Sequence, residues 1–363
     1  MKVGIIGLPQ SGKTSLFYAL TRGEGSAAGG GRDALVGVVP VPDPRYDFAV
    51  DLFHPKKRTP ASIEFTDGAA QVGSSTSGGQ KFGSDFFVGI RSVDAIVQVV
   101  RAFDSPLHAD AANPLREAAA ISEELLLSDI QVIENRLERI KKQLSTRKGG
   151  AVVPEVFEQE VLLKLKAVLD EFQPLRTVAL TEDEKRIIKN FDFLTAKPVI
   201  VVANIAESDL DKGEGLPLLA PLKAECAEHG VLFMALCAAA EQEVAALAPE
   251  EQGEFLAALG IAEPARDRLI RAAYAALGVM SFFTVGEDEV RAWTIPAGSN
   301  ALTAAGRIHS DLARGFIRAE VMAFKDLIAA NGWDAAKAAG KLRLEAKDYP
   351  VLDGDILHVR FKV

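Results

Sequence analysis

Short apolar runs recur along the chain at 3–6, 63–65, 95–100, 199–203 and 231–236, each followed by a turn or a polar residue. Continuous runs of this length, without polar alternation, predict strands buried on both faces of a parallel sheet. A different period interrupts them. Between 116 and 148 the apolar positions Leu126, Ile130, Ile133, Leu137, Ile140 and Leu144 step by 4, 3, 4, 3 and 4, the seam of a coiled-coil helix. After Lys148, Gly149, Gly150 and Pro154, a second set at Phe157, Val161, Leu165, Val168 and Phe172 repeats the spacing. Two such helices around a Gly/Pro turn predict an antiparallel hairpin. The pair can lie flat on the sheet or protrude from it, and the narrowness of both seams favours a protruding arm. The sheet rhythm resumes at 197–202 and ends near Gly278. From Ser281, strand-like 282–285, 291–295 and 356–361 enclose helical segments, which predicts a small α+β module. Gly23 to Gly31 reads as a flexible, glycine-rich loop.

With 363 residues, 48% of them hydrophobic and 25% charged, the chain can bury two or three domain cores and is not a disordered protein. Its formal net charge of -9 removes any general attraction to nucleic acid or anionic lipid, so such a contact needs a local patch. Arg136, Arg139, Lys141, Lys142, Arg147 and Lys148 supply one toward the hairpin tip, opposed only by Glu138 between 136 and 150. They form either a phosphate-seeking surface or a solvated helix face. The only two cysteines, Cys226 and Cys237, exclude a disulfide framework and a structural zinc site. Single thiols in apolar segments are packing residues more often than redox sensors. Neither a cleavable signal nor a run of about 18 apolar residues occurs, so a cytoplasmic protein that does not enter a membrane is expected.

The sharpest chemical signal follows the first apolar run. Gly7, Leu8, Pro9, Gln10, Ser11, Gly12, Lys13 and Thr14 fit G-x-x-x-x-G-K-[ST] between a strand and the helical segment that starts at Ser15. Glycines let main-chain N–H groups turn toward phosphate oxygens, and the helix adds its positive N-terminal end. Gly7, Pro9, Gln10, Ser11, Gly12, Lys13, Thr14 and Ser15 are therefore the expected phosphate-binding set. Lys13 is expected on the β- and γ-phosphates, with the Thr14 hydroxyl on Mg²⁺ and Asp67, at the end of another strand, holding the metal through water. The strand at 199–203 runs into Asn204, Ile205, Ala206 and Glu207, where nucleotide switches read the base. A guanine reader has Asn-Lys-x-Asp there, its Asp accepting from guanine N1–H and the 2-amino group. Ile205 replaces the Lys and Glu207 the Asp, which weakens guanine selectivity and favours adenine.

Read together, these residues resemble the YchF family of Obg-like ATPases. The resemblance extends to 38–45, to 93–101, to Arg291 through Pro296, to Gly315 through Val321, and to Asp353, Gly354 and Asp355. It implies an α/β fold: a P-loop NTPase domain with a parallel-type sheet, an inserted α-helical coiled-coil hairpin and a C-terminal α+β ubiquitin-like TGS domain. The expected boundaries are 1–115 with 190–277, then 116–189, then 278–363. It also implies a Mg²⁺-dependent ATPase with slow intrinsic turnover, ATP preferred to GTP, acting as a translation- or stress-related regulator. Contact with the ribosome or ribosomal RNA would run through the hairpin tip and the TGS domain. His108 aligns with a loop histidine proposed for catalysis in that family, and a neutral imidazole could orient or deprotonate water. The chain departs from the family where hydrolysis is controlled. Gln10 stands at a usual Asn, no Thr occurs between Arg22 and Arg58, and Ala70 stands at a usual Gly. Gln71, at a usually hydrophobic position, is the residue type that Ras-like enzymes use to orient attacking water. These departures leave two alternatives open: a non-catalytic nucleotide-binding regulatory module, and a GTPase.

Overall fold

The computed structural model describes residues 1–23, 26–27, 35–67, 84–106, 110–146, 154–258, 261 and 263–362. Its strands are β1 (Lys2–Gly7), β2 (Ser26–Ala27), β3 (Leu35–Pro40), β4 (Lys57–Thr59), β5 (Ser62–Asp67), β6 (Ala95–Ala102) and β7 (Val199–Ile205). They continue with β8 (Leu232–Leu236), β9 (Val279–Thr284), β10 (Glu289–Pro296), β11 (Phe316–Ala323), β12 (Arg343–Glu345) and β13 (Asp355–Phe361). The first helices are α1 (Lys13–Thr21), α2 (Pro44–Phe53), α3 (Ser84–Arg91), α4 (Pro114–Thr146) and α5 (Pro154–Asp170). After them come α6 (Glu182–Ile188), α7 (Ala220–Glu228) and α8 (Ala238–Ala246). No described helix is long and apolar enough to cross a membrane. The chain divides into two compact units, 1–38 with 64–266, and 39–63 with 267–363.

The first unit carries a seven-stranded sheet in the order β2-β3-β5-β1-β6-β7-β8. Each of the five apolar runs is a strand of it, and β5, β1, β6, β7 and β8 are parallel. Every residue of β6 and β7 is buried, as a sheet covered on both faces requires. Parallel register brings the C-terminal ends of β1, β6 and β7 to one edge, where ligands bind in open α/β sheets. Of the glycine-rich 23–31 stretch only Gly23, Ser26 and Ala27 are described.

The hairpin is both of the arrangements its pattern allowed. α4 has 33 residues, about 50 Å at 1.5 Å per residue. Its root lies on the sheet, where Ala118, Ile121 and Leu125 join the core of β6 and β7. Farther along, Leu126, Ile133 and Ile140 leave that core and pack with Val161, Leu162, Leu165 and Leu169 of α5. The expected second seam is corrected at both ends: Phe157 is 42% exposed, and Phe172 lies past the end of α5 and is 70% exposed. α5 buries a wider stripe because it also packs toward Leu175 and Phe193. Asp129, fully buried in α4, accepts from Leu194 N (3.1 Å), Thr195 N (2.8 Å), Thr195 Oγ1 (2.8 Å) and Arg91 Nη1 (3.0 Å), which fixes the helix to the end of α3.

The expected basic patch also changes. Arg136 makes a two-pronged pair with Glu158 across the hairpin, both contacts at 2.7 Å, so it holds α4 to α5 and is not a free surface cation. Arg139, Lys141 and Lys142 are exposed, with Lys142 bridged to Glu138 one turn back. Arg147 and Lys148 lie outside the described residues.

The second unit has a six-stranded sheet ordered β12-β11-β13-β9-β10-β4. Its core gathers Met280, Phe282, Ile295, Val321 and Leu357. Segment 39–63, which the expected boundaries placed in the nucleotide domain, enters this unit by adding β4 in parallel beside β10. Asp43 caps α2 by accepting from Arg45 N (2.9 Å), and Pro44 starts the helix. The Arg45 guanidinium then bridges Asp43 and Asp353, each at 2.8 Å.

Candidate functional site

The phosphate loop starts where β1 ends. A side chain at Gly7 would come within 2.6 Å of the Val99 carbonyl oxygen on β6, so the loop leaves the sheet by hugging its neighbour. Gln10 and Gly12 take positive φ (62° and 91°), and Ser11 N donates to Leu8 O (3.2 Å). These turns deliver the chain to the first turn of α1, whose N–H groups have no acceptors within the helix. Beside the loop opens a cavity of about 500 Å³, to which Gln10, Gly12, Lys13, Thr14 and Ser15 all contribute. Gly7, Pro9 and Ser11 do not line it. Ser11 is fully buried and Gly7 fills the close approach to β6, so these two shape the loop from behind.

Lys13 is 7% exposed, and its ammonium donates to Leu8 O at 3.2 Å. Burial pulls its pKa below the usual lysine value, and nearby Asp67 pushes the other way. The Thr14 hydroxyl donates to Asp67 Oδ2 at 2.9 Å. Asp67 is 1% exposed at the end of β5, level with Ile5 of β1, so strand register brings it to Thr14 across 53 positions.

The far wall combines the ends of three strands. Asn204, Ile205, Ala206 and Glu207 come from the end of β7, Phe103 and Asp104 from the end of β6, and Cys237, Ala238 and Ala239 from the start of α8. Asn204 is a strut: Nδ2 donates to Ser11 O (3.0 Å) and Oδ1 accepts from Ala238 N (2.9 Å). Ile205 lines the cavity while its side chain, 2% exposed, also packs into the sheet core. Glu207 is exposed at the rim. Phe103, Asp104, Ala238 and Ala239 went unmarked in the sequence, although each follows a parallel strand of the sheet, where the edge rule places ligand contacts. Gln71, Ala70 and His108 lie outside the described residues.

Cys226 and Cys237 are both buried. Burial pushes the Cys226 thiol up to about 11 and raises that of Cys237, so both are packing residues with little thiolate at neutral pH.

A phosphate loop between β1 and α1, a carboxylate closing the next strand over and a second wall from the three strands on the other side define a P-loop nucleoside-triphosphate-binding protein. Residues 279–362 match the YchF-GTPase_C family, described as a protein of unknown function (DUF933). The chain is 42% identical to the ribosome-binding ATPase YchF of Bacillus subtilis (strain 168) over 369 residues, covering 100% of each. It is 43% identical to the ribosome-binding ATPase YchF of Haemophilus influenzae over 368 residues, covering 100% of this chain and 99% of that one. A solved structure of the Schizosaccharomyces pombe YchF GTPase superposes with a TM-score of 0.87 at 34% identity, covering 99% of this chain and 97% of the other. The chain belongs to the YchF family.

Proposed function

We propose that this protein is a cytoplasmic, Mg²⁺-dependent ATPase of slow intrinsic turnover that associates with the ribosome as a translation- or stress-related regulator. The observation that carries the proposal is the convergence of Lys13, Thr14 and the Asn204-braced loop on one cavity, with Asp67 bonded to Thr14. The Thr14 hydroxyl and the Asp67 carboxylate suit Mg²⁺, a hard cation held by one or two protein oxygens together with phosphates and water. Among the described residues there is no cluster of three or more His, Cys, Asp or Glu to form an all-protein metal cage, which agrees with that mode. When bound, Mg²⁺ neutralises phosphate charge. Thr14 and Asp67 hold it, Lys13 exchanges the Leu8 carbonyl for phosphate oxygens, and the loop amides from Gln10 to Thr14 donate to the triphosphate. Gln71 and His108 are the candidates for orienting the attacking water.

Adenine is favoured because Ile205 and Glu207 stand where a guanine reader has Lys and Asp. Ribosome binding rests on the names of the bacterial relatives and on the exposed cations Arg139, Lys141 and Lys142, with Arg147 and Lys148 nearby in sequence and the TGS-like module as a second contact. GTP hydrolysis is the second reading, favoured by the name of the yeast relative. Competition between ATP and GTP for a labelled nucleotide decides between them. The absence of Thr between Arg22 and Arg58 supports the non-catalytic alternative, which predicts tight binding without phosphate release in a single turnover. The direct test is Lys13→Ala: Mg²⁺-dependent phosphate release from ATP falls to background, and unchanged release overturns the assignment of chemistry to this loop.

A further inference from the structure

β6 contains a buried cation that nucleotide chemistry does not require. All eight residues of the strand are buried, and Arg101, its next-to-last residue, is 4% exposed. A buried guanidinium is costly unless its donors are met, and here they are met by the connection that leaves β6 and by the start of α4. Nε donates to Glu117 Oε1 (3.2 Å), Nη1 to Phe103 O (3.2 Å) and Nη2 to Asp110 O (3.4 Å). The main-chain N–H of Arg101 donates to the other Glu117 oxygen at 2.9 Å. One side chain thus grips both limbs of the connection leaving β6. Asp104 fastens that connection again by accepting from Ala112 N at 3.1 Å.

The near limb carries Phe103 and Asp104, which wall the cavity opposite Lys13 and Thr14. In the β6–β7 register Arg101 stands beside Asn204, the strut under the loop. Glu117 lies in the first turn of α4, the long helix of the hairpin. The Phe103–Asp104 wall and the hairpin root therefore meet at one ion pair, on the strand next to the one that carries Asn204.

We propose that Arg101 and Glu117 are positioning residues for the nucleoside end of the bound nucleotide: they hold the Phe103–Asp104 wall in place against β7 and anchor it to the root of the hairpin. Neither touches the triphosphate machinery. The proposal rests on nucleotide occupying this cavity, and it goes further by assigning the two ends of the ligand to separate supports.

The test compares full-length wild type with Glu117→Gln, which keeps the volume and removes the charge, and with Arg101→Lys, which keeps the charge and removes the fork. Each variant is measured for ATP KM and kcat, for competition by inorganic tripolyphosphate, which has no nucleoside, and for Tm. ATP KM is expected to rise about tenfold with kcat within about twofold, because the residues that meet the γ-phosphate are untouched. The tripolyphosphate inhibition constant stays at the wild-type value. The double variant is no worse than either single one, because both act through one contact. A general loosening of the fold would weaken ATP and tripolyphosphate alike, and that result, or an unchanged KM, overturns the proposal. A wild type without turnover fails the hydrolase assignment alone, and the same comparison is then decided by calorimetric binding of ADP against tripolyphosphate.

Discussion

Gly12 opens α1 at a φ of 91°, and a methyl group there would press on the amide of Asn204. Gly12→Ala thus carries both left-handed strain and a displaced strut. Urea unfolding should show a loss of about 1–3 kcal/mol, with nucleotide affinity reduced well beyond that of a surface substitution. Lys13 gives a pH signature. Burial lowers its pKa in the free protein, whereas a bound triphosphate favours the ammonium and raises it. Binding then takes up a proton wherever the pH lies between those two values. ATP affinity should fall as pH rises through the alkaline range, and calorimetry in two buffers of different ionisation enthalpy should report net uptake there. Release of protons on binding would contradict this assignment. At this scale the loop was legible because its chemistry is local: eight consecutive residues encode the turn, the donors and the cation. The second role of Asn204 was not legible, because its partner Ser11 lies 193 positions away and only the sheet brings them together.

At the scale of elements, the hairpin separates cations that fold the protein from cations that can meet a partner. Arg136 is matched to Glu158 in a two-pronged pair that is partly shielded from water. Arg136→Ala should lower stability by about 1 kcal/mol, with a smaller effect at high salt. The exposed Arg139 and Lys141 behave in the opposite way. Reversing both to Glu should leave Tm within about 1 °C, as surface changes do, while reducing co-sedimentation with ribosomes. Unchanged co-sedimentation would remove this patch from the ribosome contact. The heptad steps of α4 were readable because, beyond its root, the same narrow seam packs against α5. The stripe of α5 was not, because it packs on α4 and on the Leu175 and Phe193 turns together, and such a face follows tertiary neighbours more than a repeat.

Across the whole molecule, the chain between the phosphate loop and Asp67 leaves one compact unit, builds part of the other and returns. β4 is three residues of polar sequence, so no apolar run announced that it lies beside β10. The parallel sheet, by contrast, was evident from five apolar runs, since strands covered on both faces have no other way to be written. Arg45 secures the borrowed segment: hydrogen bonds to Asp43 raise its pKa, Asp353 adds to the effect, and the Phe283 ring lies 5.5 Å from its guanidinium. Arg45→Ala leaves Asp43 and Asp353 without their cation. It should cost about 1–3 kcal/mol in equilibrium unfolding, with Arg45→Lys recovering only part because the fork is lost. The claim on which the rest depends is that the cavity beside Lys13 holds a nucleoside triphosphate. A calorimetric titration of the folded full-length protein with Mg²⁺ and ATP tests it most directly: a single saturable site is expected, and no saturable heat with either ATP or GTP would contradict it.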